Sequence, residues 1–237
     1  MVAYSALVIQ LPLLNGLGFE YSVAIALILP WVIGVLVIRR VRSAIPYRSR
    51  ADHRDFLAVL RESTAESLGL TVIPLIVATF NLLVVKNCSY DEGMLFFILI
   101  PCVTTIWSVA FGMFCAIVVR RSLACYAAGT LLILLYPLYV GYVSPQIYSF
   151  NIIYGFFPGF SYDETMRISP VLVLFRLMTC GGAVFCLSVS AYVTTYERAG
   201  KGLVSVRAGL RGLFHPAPLN VCILSLSTAL AWSWVFR

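Results

Sequence analysis

The chain has 237 residues and a formal charge of +7, with only 11% of its residues charged and 61% hydrophobic, against roughly 25% charged in an ordinary soluble domain. So little polar surface excludes a water-soluble globule. A nucleic-acid partner is excluded too, because the cations fall between apolar runs instead of lining one exposed face.

Met1 opens an apolar stretch that runs to Leu14. It contains Pro12 and is too short to cross a bilayer, so it is expected to lie in the interface or pack on the bundle, within an interfacial segment 1–19. No basic residue precedes Arg39, so the N-terminus lacks the basic region of a cleavable secretory signal.

A helix needs about 20 apolar residues to span the roughly 30 Å hydrocarbon core, because only an internally paired backbone is stable there. Residues 21–38, 68–85, 93–119, 122–143, 170–193 and 218–236 qualify. The predicted fold class is therefore all-α, a polytopic transmembrane helical bundle of about six spans, forming a single domain over 1–237. Between the first two spans, a cytoplasmic amphipathic helix is expected within 44–67, with Phe56, Leu57, Leu60, Thr64 and Leu68 near one face. It reads as a lead-in to the second span, an interfacial helix on anionic lipid, or a coupling helix for a cytoplasmic partner. Arg120 and Arg121 mark a tight turn between spans three and four.

Orientation follows from the cations, since Lys and Arg are retained in the cytoplasm. Thirteen of the 17 fall on one predicted face: seven between Arg39 and Arg61, then Arg120, Arg121, Arg198, Lys201, Arg207 and Arg211. Lys86, Arg167 and Arg237 fall on the other, and Arg176 lies inside the fifth span. The expected location is the cell (inner) membrane, multi-pass, with both termini extracytoplasmic. Acids next to the opposite helix starts (Glu20, Asp91-Glu92, Asp163-Glu164) suit the helix macrodipole. The strings Ser89-Tyr90-Asp91-Glu92 and Ser161-Tyr162-Asp163-Glu164 each form a Ser-x-x-Glu capping box. Convergent capping accounts for the echo better than an internal duplication, because the flanking spans share little.

The loop 144–169 is long for a turn and carries Tyr148, Phe150, Tyr154, Phe156, Phe157, Phe160 and Tyr162 around Pro145, Pro158 and Gly159. Two readings stand: an aromatic belt at the headgroups, or a folded cap or re-entrant loop over the bundle. Arg176, about 9 Å into its helix at 1.5 Å per residue, is expected either to pair with Asp163 or Glu164 or to snorkel to lipid phosphate.

Chemistry-bearing motifs are absent. Cys88, Cys102, Cys115, Cys125, Cys180, Cys186 and Cys222 form no Cys-x-x-Cys pair, and six of them read as small apolar side chains inside spans. His53 and His215 form no metalloprotease motif, and no nucleophile elbow, Walker loop or dinucleotide fingerprint occurs. Neither Tyr90-Asp91 nor Tyr162-Asp163 is joined by the Gly-x-Gly-Asp of intramembrane aspartyl proteases. The triplet Asn87-Cys88-Ser89 is a formal glycosylation acceptor that abuts the membrane. No catalytic residue, metal or cofactor is expected.

The string Tyr154-Gly155-Phe156-Phe157-Pro158-Gly159, followed by Tyr162-Asp163-Glu164, is accompanied by Asn87-Cys88 ahead of the third span and Gly18-Phe19-Glu20 ahead of the first. Together these resemble the N-terminal multi-span membrane region of certain large bacterial proteins, where it precedes an extracytoplasmic gluzincin-type (peptidase MA-like) metallopeptidase region. The resemblance covers nearly the whole chain on short motifs, and without a zinc motif in these 237 residues no catalytic role carries over. What it implies is a non-catalytic membrane module that anchors or positions an extracytoplasmic domain or partner, with the lipid bilayer as its other partner and no nucleic acid. The expected contact residues are Arg176, Asp163, Glu164, Tyr162, Phe156, Phe157, Pro158 and Gly159. The alternative function is a permease-like subunit of a membrane transporter, with an intramembrane enzyme third.

Overall fold

Apolar runs of the required length do become helices. The computed structural model describes residues 1–11, 14, 16–44, 53–81, 90–143, 149–157 and 168–198. Among them, five helices are long and apolar enough to cross a membrane. The chain is an all-α polytopic bundle, and the expected sixth span, 218–236, lies outside the described residues, as do both capping-box serines, Ser89 and Ser161.

In chain order the elements are α1 (Val2–Val8), α2 (Phe19–Ala44), α3 (His53–Asn81) and α4 (Tyr90–Phe97). A π-helical turn (Ile98–Cys102) leads into α5 (Val103–Val118), followed by α6 (Ser122–Val143), a two-stranded hairpin of β1 (Ser149–Asn151) and β2 (Gly155–Phe157), and α7 (Pro170–Arg198). The short α1 packs on α2 and α3 without crossing, and its Tyr4 hydroxyl donates to the Ala24 carbonyl at 2.9 Å. The amphipathic stretch and the second span are one continuous helix, α3. Nothing between His53 and Asn81 breaks it except Pro74, which the helix accommodates. Its lower half turns Phe56, Val59, Ser63 and Ser67 inward and leaves Leu57 exposed.

The core forms where α2 meets α5, which sits at the centre of the bundle and touches α2, α3, α6 and α7. On α2, Tyr21, Ile25, Leu29, Ile33, Val37 and Val41 recur every four residues and are all buried. They make one ridge of the kind that packs into a neighbouring helix's groove. The helices approach closely where Gly112 meets Val37 and the Gly34 backbone, since a small residue lets two backbones draw together in lipid.

Prolines interrupt the backbone ladder of four elements, at Pro30, Pro74, Pro101 and Pro137. Pro101 is housed in the π turn, a standard place for a helix irregularity to be absorbed. Tyrosines reach two other proline-bearing turns. Tyr21 donates to the Pro74 carbonyl and Tyr126 to the Pro30 carbonyl, each at 2.8 Å. The carbonyls that these prolines leave without a helical donor are those of Leu70 and Ala26, four residues earlier, so the two tyrosine bonds tie neighbouring helices together rather than repair the ladder.

At the basic end, Arg42 of α2 donates to the carbonyls of Val119 and Arg120, in the turn just past the end of α5. Arg40 and Glu66 pair there at 2.8 Å. Both side chains are more than a third exposed, so the pair contributes little to stability. Glu20 in the first turn of α2, and Asp91 and Glu92 in that of α4, lie at the opposite end.

Candidate functional site

Near the N-terminal end of α7 the chain does something a plain bundle does not: an antiparallel hairpin descends between helices α5, α6 and α7. Its register pairs Ser149 with Phe157, Phe150 with Phe156 and Asn151 with Gly155. The three-residue turn Ile152-Ile153-Tyr154 closes on Gly155, whose φ of +88° only glycine adopts without strain. A side chain there would also collide with the site, since a Cβ on Gly155 would sit 3.1 Å from Leu172 and 3.2 Å from the Arg176 guanidinium.

The tip is buried. Ile153 is 1% exposed and Asn151 3%, and burial pushes the Tyr154 phenol above its ordinary pKa. The hairpin packs over a small apolar cluster of Phe19, Ala26, Phe96, Ile100 and Leu172, to which Phe150 adds its ring. That ring also lies 5.2 Å from the ring of Phe175.

Polar bonds fix the depth. Asn151 Nδ2 donates to the Ile133 carbonyl at 2.7 Å, ten residues or about 15 Å before the end of α6. That carbonyl lacks a donor of its own, because its helical partner would be the N–H of residue 137, and residue 137 is proline. Asn151 Oδ1 accepts from the Ile153 amide at 2.6 Å. One side chain thus closes the hairpin turn and repairs the α6 ladder.

Arg176, 1% exposed, is the largest fully buried side chain among the described residues. Its Nη1 donates to the Ile152 carbonyl at 2.6 Å and its Nη2 to the Ile153 carbonyl at 3.0 Å, and Thr104 of α5 donates to the same Ile153 carbonyl. The Arg176 Nε has no acceptor among the described residues. The guanidinium therefore neither snorkels nor reaches lipid phosphate. It turns inward and binds the hairpin through backbone dipoles.

Of the residues expected to form the contact surface, the structure brings Arg176 to the hairpin, whose second strand includes Phe156 and Phe157. The side chains of those two phenylalanines, and Pro158, Gly159, Tyr162, Asp163 and Glu164, lie outside the described residues. Sequence reasoning missed Asn151, Thr104 and Gly155. Pro137 was the available signal for Asn151, because a mid-span proline leaves a carbonyl that some polar side chain must meet.

Replacing Asn151 with alanine is expected to strand the Ile133 carbonyl and free the turn, lowering stability by about 1–3 kcal/mol for a buried acceptor left without a donor. Thermal unfolding in detergent measures this; an unchanged midpoint contradicts the assigned bonds.

The arrangement offers a rigid, fully enclosed clamp with no described cluster of metal-ligating side chains. No family model, curated protein or solved structure matches this chain, so the geometry itself bears the functional reading.

Proposed function

We propose that the chain is a non-catalytic membrane module that anchors or positions an extracytoplasmic domain or partner, with the hairpin end of the bundle as its contact surface. The observation that carries this reading is the clamp. A loop rich in aromatics is pinned by Arg176, Asn151 and Thr104 to three different helices, so whatever docks beside it meets a fixed platform. In this reading the hairpin end faces away from the cytoplasm, both chain termini lie on that side, and the basic end faces inward.

Two measurements in the cell of origin test it. A reporter active only in the cytoplasm should be silent after Arg237 and active near Arg50. A photoreactive residue at position 157 should cross-link to an extracytoplasmic protein, or to a domain continuous with this chain. Cross-linking to lipid alone overturns the anchoring role, and the reversed reporter pattern overturns the orientation.

A permease-like subunit is the second reading, favoured by one observation: a cation buried inside a span is the usual mark of a transport pathway. Proteoliposomes distinguish the two, since a saturable solute or ion flux abolished by Arg176→Leu supports the permease, and flux equal to that of empty liposomes supports the anchor.

A further inference from the structure

Cys115 and Cys125 face each other across the turn that joins α5 to α6. Their sulfur atoms are 4.0 Å apart, with the Cys115 thiol donating. Their settings differ. Cys115 is fully buried, whereas Cys125 is partly exposed in the first turn of α6, just after the exposed Arg120 and Arg121. Each lies three residues inside its helix, about 5 Å from the end. The turn itself is braced, because Arg42 holds the carbonyls of Val119 and Arg120 within it.

We infer that Cys115 and Cys125 form a redox-active dithiol site, in which Cys125 is oxidised by a small peroxide at the basic face and Cys115 resolves the product to a disulfide. The thiolate is the reacting form, and a reactive cysteine with a resolving neighbour is the arrangement that turns oxidation into a reversible bond. In the first step the Cys125 sulfur attacks hydrogen peroxide, the O–O bond breaks, and sulfenic acid and water form. In the second the Cys115 sulfur attacks the Cys125 sulfur, the S–S bond forms, the S–O bond breaks, and a second water leaves. Two thiols and one hydrogen peroxide become one disulfide and two waters, so electrons balance. Closing 4.0 Å to the roughly 2 Å of a disulfide asks each sulfur to move by about 1 Å. Cys186 of α7 lies close enough to Cys115 to act on it electrostatically and is the competing partner.

The test uses the full chain in nanodiscs, briefly exposed to hydrogen peroxide, then unfolded and labelled with a mass-tagged maleimide. Two of the seven thiols should be lost together, a digest should contain the Cys115–Cys125 linked peptide, and a reductant should restore both. In Cys115→Ala a sulfenic-acid trap should label Cys125, and in Cys125→Ser the thiol of Cys115 should stay reduced. All seven thiols surviving conditions that oxidise an exposed control thiol, or a bond joining Cys115 to Cys186, overturns the proposal. The wild-type peptide map decides the matter even if a variant fails to fold.

Discussion

Replacing Arg176 with leucine is expected to release the hairpin from the bundle while lowering overall stability only modestly. The guanidinium makes two bonds to carbonyls of the turn, and bonds to a charged donor contribute about 1.5–3 kcal/mol each. Against that, a cation inside a span costs about 2.5–3.5 kcal/mol on insertion scales, and leucine removes this cost. The two effects partly offset, leaving a net change between about zero and a loss of about 3.5 kcal/mol. Locally nothing offsets the loss, because the Ile152 carbonyl has no other donor among the described bonds. Limited proteolysis within 144–169 should therefore accelerate strongly while the unfolding midpoint falls by a few degrees. Arg176→Lys keeps the charge without the two-pronged donor and should fall between. Unchanged proteolysis in the leucine variant contradicts the clamp.

Gly93→Ala is expected to be the most damaging small substitution at the hairpin end of α4. An added Cβ would lie 2.0 Å from the Leu17 carbonyl oxygen and 2.7 Å from its carbon. Those are backbone atoms and cannot rotate aside. Leu17 is itself buried in the core just before α2 begins, so the clash is relieved only by shifting the segment that enters the bundle. Overpacking of this kind costs about 1–3 kcal/mol, occasionally more, and exceeds the gain of at most about 1 kcal/mol from better helix propensity. Gly69→Ala supplies the control, since nothing lies within 4 Å of a Cβ at that exposed helical position. It should be neutral or slightly stabilising. Equal unfolding midpoints for the two variants contradict the packing described for Gly93.

The spans were legible because lipid leaves a helix few alternatives: the run that ends at Arg39-Arg40 and the run that begins after Arg121 declare themselves by hydropathy alone. Boundaries were less legible. The stretch 44–67 carries charge and reads as a lead-in to the second span, an interfacial helix or a coupling helix, and from His53 onward no breaker divides it from the second span, so the backbone runs on as α3. Arg176 announced itself as a charge in the wrong solvent. Its described partners did not, since they are the carbonyls of Ile152 and Ile153, while Asp163 and Glu164 lie outside the described residues. A backbone carbonyl has no letter in a sequence. The same holds for Asn151, which looks like an ordinary turn residue until Pro137 is seen across from it with an unserved carbonyl at Ile133. Gly34 gave no sign that a Cβ would strike the Tyr126 ring, because that contact joins residues 92 positions apart.

Amide hydrogen exchange across 149–157 in nanodiscs at neutral pH tests the buried hairpin most directly. The Ile153 amide is bonded to Asn151 and its residue is 1% exposed, so this segment should exchange as slowly as the helix cores of α2 and α5, and Arg176→Leu should abolish that protection. Exchange across the whole hairpin at the rate of an unstructured peptide in the wild-type protein would mean that no clamp exists.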